Sequence, residues 1–217
     1  MLNATSLINA EDSVLKLLIL SLLFSVSAFA SVDRFSHRSD EVKLPKKTFD
    51  RIITLFETTF SPLAEASGRQ LEFLTDDKAD WIQAFARRWE TDQVIVYGGV
   101  AAIKNGSEDT MALILCHETG HLYGGKPVSD EFNNLSLEGQ ADYWAASSCM
   151  DQIIPHLSPR NTTSASLEAR KIDAFLIVTA HFADNRNLRH PRIETPDQTV
   201  VESTNLTHPS PQCRLDT

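Results

Sequence analysis

Two histidines four residues apart, His117 and His121, lie in an apolar stretch, with Glu118 directly after the first. Residues at this spacing share one face of a helix, with about 5–6 Å between their Cβ atoms. Two imidazoles at that separation can bind one metal ion. Glu118 lies further round the helix, where it faces the open side of the metal and can take a proton from water. The pattern therefore predicts a metal-binding helix with hydrolytic chemistry.

The competing interpretation of this stretch is a helix whose histidines only contact ordinary polar partners. The residues on both sides of the motif are apolar, and unpartnered polar groups are costly in apolar surroundings. The sequence therefore favours a bound ion.

A catalytic zinc site needs three protein ligands and an open position. Glu138 and Asp142 are four residues apart on the next predicted helix. We expect Glu138 to be the third ligand of one Zn²⁺ per chain, and Asp142 to accept the free N–H of His117. Asp130 and Glu131 are competing ligands, but they lie in a predicted loop without a rigid frame.

The segments HETGH and EGQAD resemble the zinc-ligand motifs of the gluzincin metallopeptidases, which use two histidines and a downstream glutamate. Within that group, the chain is most similar to the HtpX and CaaX-prenyl-protease family. That family's third-ligand motif, Glu-x-x-Ala-Asp, is matched by Glu138, Ala141 and Asp142. Weaker similarities are QAFA at 83–86, VIVYGGV at 94–100, and THPSPQCR at 207–214.

The resemblance implies a substrate peptide that lies extended along an edge strand near Gly98 and Gly99. It also implies that His208 or Arg214 stabilises the oxyanion of the tetrahedral intermediate. The alternative is that both are loop residues. Members of the family usually continue beyond this segment, whereas this chain ends at Thr217, which leaves the role of Arg214 open.

The hydrophobic patterning predicts an α+β fold of the zincin-like type, with a small mixed or antiparallel sheet packed on the histidine helix and the following helix. Segment 80–90 fits either a helix or the first strand of a hairpin. Gly98 and Gly99 fit either a close backbone approach or a plain turn. The other predicted elements are helices at 48–68, 109–123, 135–154 and 166–184, and strands at 70–76 and 92–100.

The charge and the N-terminal residues narrow the class of protein. A net charge of -9 argues against binding nucleic acid, which needs a basic patch. Residues 1–30 have the layout of a signal peptide cut after Ala30, so we expect an exported protein. The apolar run within residues 1–30 is shorter than the roughly 20 residues that a membrane span needs. We expect a flexible lead-in at 31–47, one domain at 48–217, and no stable membrane span after leader removal.

Three cysteines give an odd count, which in an oxidising compartment means one pair plus one thiol, or an external partner. We expect Cys116 to be a small core residue and Cys149 to pair with Cys213.

These features together predict an exported zinc metallopeptidase that acts on a protein or peptide substrate. The alternative is a non-catalytic, zinc-stabilised binding or chaperone-like exported protein, and a narrower one is a peptidase held latent until it is processed. A fourth ligand position closed by Cys149 or another histidine would favour the structural alternative. The sequence does not determine the substrate's identity or the oligomeric state.

Overall fold

A small mixed sheet and several helices form the part of the chain that the computed structural model describes, residues 43–158, 166–199 and 208–217. The predicted signal peptide and most of the predicted lead-in lie outside these residues. In the sheet, β3 is central, parallel to β1 and antiparallel to β2. The strands are β1 (Leu71–Asp76), β2 (Ala84–Arg88) and β3 (Asp92–Tyr97).

The described helices agree with the predicted α+β class. Among the described residues, no helix combines the length and the hydropathy that crossing a membrane requires. The α-helices are α1 (Lys46–Ala66), α2 (Glu108–Tyr123), α3 (Glu138–Trp144), α4 (Met150–Ile153), α5 (Leu167–Asn185) and α6 (Pro211–Leu215).

Helix α1 buries one apolar face against the sheet. Phe49, Ile52, Phe56 and Phe60 recur at helical spacing and are buried. The Phe56 ring packs edge-on against that of Phe73 on β1, with centroids 5.9 Å apart. The helix begins two residues before the predicted domain boundary at residue 48.

Within the ambiguous segment 80–90, Ala84–Arg88 forms strand β2, which pairs with β3 in a hairpin. The expectation of an edge strand near Gly98 and Gly99 is wrong, because these glycines follow β3, which has a partner on each side. Both glycines are buried in a 3-10 helix, and a Cβ on either would collide with the backbone of Asp77 or Trp81. Close backbone approach, rather than a plain turn, explains them.

Helix α2 runs through the core with buried residues on every side. Ser107 caps its first turn, because the Ser107 side chain accepts a hydrogen bond from the Thr110 N–H while the Thr110 hydroxyl accepts one from the Ser107 N–H. Helix α3 begins three residues later than the predicted start at 135, because Leu135–Ser136 instead pairs with Val128–Ser129 as a short ladder.

A disulfide joins Cys116 on α2 to Cys149 in the π-helical turn Ala145–Cys149 that continues α3. Both residues are fully buried, and their Cα atoms are 5.6 Å apart. The expected pairing of Cys149 with Cys213 is therefore wrong. Cys213 is an exposed free thiol on α6, whereas Cys149 faces α2 inside the core.

Candidate metal centre

The start of helix α3 meets the C-terminal half of α2 and brings three side chains to one point. The Nε2 atoms of His117 and His121 are 3.1 Å apart. The Oε2 atom of Glu138 lies 3.2 Å from the first of them and 3.7 Å from the second. The three residues that the sequence assigned to a metal therefore converge.

The outer nitrogen of each imidazole has a partner that determines which nitrogen carries the proton. His117 Nδ1 lies 2.8 Å from Asp142 Oδ1, and His121 Nδ1 lies 2.7 Å from the carbonyl oxygen of Ser136. An oxygen of either kind accepts a hydrogen bond, so each Nδ1 is the donor. In the neutral rings, both Nε2 lone pairs therefore point toward the carboxylate of Glu138, an arrangement typical of metal-binding histidines.

The surroundings of Glu138 Oε2 show whether this arrangement of side chains fits a metal ion. The atom is buried and, within the described residues, accepts no hydrogen bond, although imidazole nitrogens lie close to it. A buried carboxylate oxygen needs a proton on a neighbouring nitrogen, or a cation, to compensate its charge. A cation among the oxygen and the two Nε2 atoms would satisfy all three at once. Two nitrogens and a carboxylate oxygen are a donor set that suits Zn²⁺.

His208 also reaches this point from the C-terminal segment. Its Nδ1 atom lies 2.7 Å from Glu138 Oε2. One donor atom each from His117, Glu138 and His208 lies within 4.8 Å of the others, so these three groups could also hold a metal ion. The His208 side chain is 40% exposed, whereas those of His117 and His121 are 7% and 13% exposed. His208 is thus the accessible member of the group.

The carboxylates of Glu138 and Asp142 favour a positive charge at His117, from either a proton or a metal ion. Burial by itself would lower the pKa of His117, but the neighbouring Asp142 carboxylate raises it to about 10. Burial and the charge of His117 lower the pKa of His121 to about 4. Burial would raise the pKa of Glu138, but contacts with His117 and His208 hold it well below its usual range. A metal that binds His117 Nε2 would therefore compete with a proton for that nitrogen.

Glu118 lies beside this group and is buried. Burial, with the nearby charge of Glu138, raises the pKa of the Glu118 carboxyl to about 7, while His117, Arg214 and the Ala86 backbone N–H lower it. A carboxyl with a pKa near neutrality both takes up and releases protons, as a general base requires.

Arg214 and Asp142 form a buried ion pair behind His117. The guanidinium donates Nε to Oδ2 at 2.9 Å and Nη2 to Oδ1 at 2.6 Å. It also lies 4.8 Å from the ring centroid of Phe182 on α5. Burial would raise the pKa of Asp142, but Arg214 and His117 hold it well below its usual range. The structure thus places Arg214 at Asp142, and its assignment to the oxyanion stays a prediction.

Strand β2 passes the site with one edge that β3 does not use. Hydrogen bonds from Tyr97 N–H to Gln83 C=O and from Trp89 N–H to Thr91 C=O identify the hydrogen-bonded pairs of the ladder. Because such pairs alternate in antiparallel sheets, the N–H and C=O groups of Ala84 and Ala86 point away from β3. Among the described residues, no strand pairs with this edge.

Several residues of the sequence-based interpretation do not join the site. Asp130 and Glu131 are exposed in a short 3-10 helix, and the buried Gly98 and Gly99 lie at the end of the central strand. The sequence did not predict that Ser136 contacts the site. Its backbone carbonyl accepts the hydrogen bond from His121 Nδ1, and any residue type could supply that carbonyl.

Comparison of the chain with models of known protein families, with curated proteins and with solved structures found no match. An assignment of function therefore depends on the site itself.

Proposed function

We propose that this protein is a zinc-dependent metallopeptidase of the gluzincin type, in which His117, His121 and Glu138 hold the ion. The observation that carries the proposal is the convergence of three potential ligand atoms, because Glu138 Oε2 lies 3.2 Å from His117 Nε2 and 3.7 Å from His121 Nε2, and the two nitrogens are 3.1 Å apart. Zinc, when bound at such a site, polarises a peptide carbonyl and lowers the pKa of water to about 7.

Glu118 supplies the proton transfers in this proposal. Its carboxylate takes a proton from the attacking water and gives it to the leaving amine, and its pKa of about 7 suits both steps. Asp142 holds the tautomer of His117 through the 2.8 Å contact at Nδ1. Arg214 keeps Asp142 ionised, so that it remains an acceptor.

The free edge of β2 supports a peptide substrate rather than a small molecule. The N–H and C=O groups of Ala84 and Ala86 are directed away from β3, and the Ala86 N–H also interacts with Glu118. An extended peptide paired with this edge would place one of its carbonyls near Glu118. We therefore propose β2, not the segment at Gly98 and Gly99, as the strand that binds substrate.

The buried disulfide supports the proposal that the protein works outside the cytoplasm. Cys116 and Cys149 are bonded in the core, and such bonds persist in oxidising compartments. This agrees with the leader that the sequence predicts at residues 1–30.

The proposal is tested with the chain from Ser31, as wild type and as Glu118→Gln, measured for zinc content and for cleavage of an unfolded protein. We expect about one zinc per chain in both proteins, and a loss of cleavage of about 10²–10⁴-fold in the variant. Glu131→Gln, on an exposed carboxylate away from the site, is the matched control and should cleave normally. The absence of zinc from the wild type would refute the proposal.

One observation favours a second candidate, a zinc-stabilised protein without turnover. His208 Nδ1 is 2.7 Å from Glu138 Oε2, so His208 could become a fourth protein ligand and close the position that a substrate needs. In that case, zinc would bind the wild type and stabilise it, yet neither the wild type nor Glu118→Gln would cleave.

The variant His208→Ala separates the candidates. If His208 only donates to the oxyanion, its removal lowers cleavage while zinc content stays near one per chain. If His208 closes a latent site, its removal raises cleavage instead. If the site is structural, its removal weakens zinc binding and no cleavage appears.

A further inference from the structure

Gly120 lies on α2 between the two histidines, and the backbone of α3 at Ala141 packs against it. A Cβ built at Gly120 would lie 2.8 Å from the carbonyl oxygen of Ala141 and 3.0 Å from its Cα. Both atoms belong to the backbone, which cannot turn aside as the end of a long side chain can. Any residue larger than glycine at this position would therefore push α3 away from α2.

The residues that α3 contributes to the site flank this contact. Glu138 lies one turn before Ala141, and Asp142 follows it directly. Each makes a short contact to His117, 3.2 Å from Glu138 and 2.8 Å from Asp142. A displacement of α3 by a few tenths of an ångström would lengthen both contacts together.

The disulfide holds the same two helices together one turn earlier along α2. Cys116 precedes Gly120 by four residues and so lies on the same face of α2. Its bond to Cys149 connects this face to the continuation of α3 and brings the two Cα atoms within 5.6 Å. The glycine and the disulfide thus set the separation of α2 and α3 at two successive turns.

We propose that Gly120 is a positioning residue of the metal site and that the Cys116–Cys149 disulfide assists it. By keeping α3 against α2, they hold Glu138 at binding distance from His117 and His121. This inference rests on the proposed metal site and adds to it two groups that touch neither metal nor substrate.

The test is the zinc affinity of Gly120→Ala, measured by competition with a chromophoric chelator. We expect the affinity to fall by about tenfold or more, the size of loss that follows when ligand orientation is disturbed. Gly139→Ala is the matched control, because it is on α3 beside Glu138 and a Cβ there meets nothing within 4 Å. Its zinc affinity should equal that of the wild type.

A second variant keeps the test decisive if Gly120→Ala does not fold. The double variant Cys116→Ala/Cys149→Ala removes the covalent link without adding bulk, and its zinc affinity should fall by several-fold, about 3–10 times. The visible spectrum of bound Co²⁺ should also change, because it reports the coordination geometry.

The outcomes distinguish this inference from the proposed function. If the wild type binds no zinc, both fail. If the wild type binds zinc and either Gly120→Ala or the cysteine double variant binds it equally well with an unchanged Co²⁺ spectrum, the inference fails while the proposed function stands.

Discussion

Charged groups are buried at both ends of helix α2. They form a hydrogen-bonded ion pair at the N-terminal end and a cluster of potential metal ligands at the C-terminal end. At the N-terminal end, Asp109 is bonded by two nitrogens of Arg170, and Nη1 of the same guanidinium donates to the carbonyl of Ile154. At the C-terminal end, the Nε2 atoms of His117 and His121 converge on Oε2 of Glu138, at 3.2 Å and 3.7 Å. The first end is a carboxylate matched by a guanidinium, and the second is a group of three atoms that can bind a proton or a metal ion.

This difference separates a structural ion pair from a binding site. A buried pair with well-directed hydrogen bonds contributes its stabilisation whenever the protein is folded. A convergent set of lone pairs is stabilised only when a proton or a metal joins it. Variants at the N-terminal end should therefore behave identically with and without zinc, and variants at the C-terminal end should not.

The largest expected effect is at the N-terminal end. Arg170→Met removes the partner of the buried Asp109, so we expect the free energy of unfolding to fall by about 3–5 kcal/mol. Denaturant titration with zinc and with a chelator should give the same loss. Arg51→Met is the control on the same helix end, because Arg51 is 43% exposed where it pairs with Glu108, and it should cost about 1 kcal/mol or less. A loss for Arg170→Met that depends on zinc would contradict the comparison.

At the C-terminal end, zinc should stabilise the wild type by about 4 kcal/mol when the free ion is at 1,000 times its Kd. Glu138→Gln should lose most of this gain, because it removes the carboxylate oxygen that lies 3.2 Å from His117 Nε2. Thermal unfolding with and without zinc measures the difference. Glu131→Gln, at an exposed position, should keep the full gain. An equal gain in Glu138→Gln would show that zinc binds elsewhere.

A smaller effect is expected at Arg214, the C-terminal counterpart of Arg170. Arg214→Lys keeps the positive charge but loses the two-nitrogen contact with Asp142. Because Asp142 orients His117, we expect the zinc affinity to fall about 10–100-fold, measured by chelator competition. Arg189→Lys, at an exposed position, should change nothing. If Arg214 acts only on a transition state, cleavage would fall while zinc affinity stayed constant.

The part of the site that could be predicted from the sequence is the part that local geometry determines. His117 and His121 share a face because they are one helical turn apart, and Glu138 and Asp142 do so for the same reason. The expectation that these two pairs lie close together came from the chemistry of the residue types, since histidines and carboxylates can share a metal ion. The 2.8 Å contact between His117 and Asp142 agrees with that expectation.

The features that the sequence could not supply depend on contacts between distant segments. The partner of Cys149 is decided by which helix packs beside it, and cysteine spacing does not contain that information. Segment 80–90 was ambiguous because its aromatic spacing suits a helix, whereas pairing with β3 makes it a strand. The central position of β3 likewise follows from its parallel partner β1, a pairing that no local pattern records.

The smallest expected effect is again at the N-terminal end of α2. Ser107→Ala removes the side chain that caps the Thr110 N–H, which should cost about 1 kcal/mol of unfolding free energy. Because the cap lies ten residues before His117, zinc affinity should be unchanged, and denaturant titration beside chelator competition measures both quantities. Ser210→Ala, which removes a similar cap from the short helix α6 that carries Arg214, should instead lower zinc affinity slightly, because Arg214 acts on His117 through Asp142. Equal zinc affinities in the two cap variants would mean that the C-terminal helix does not support the metal site.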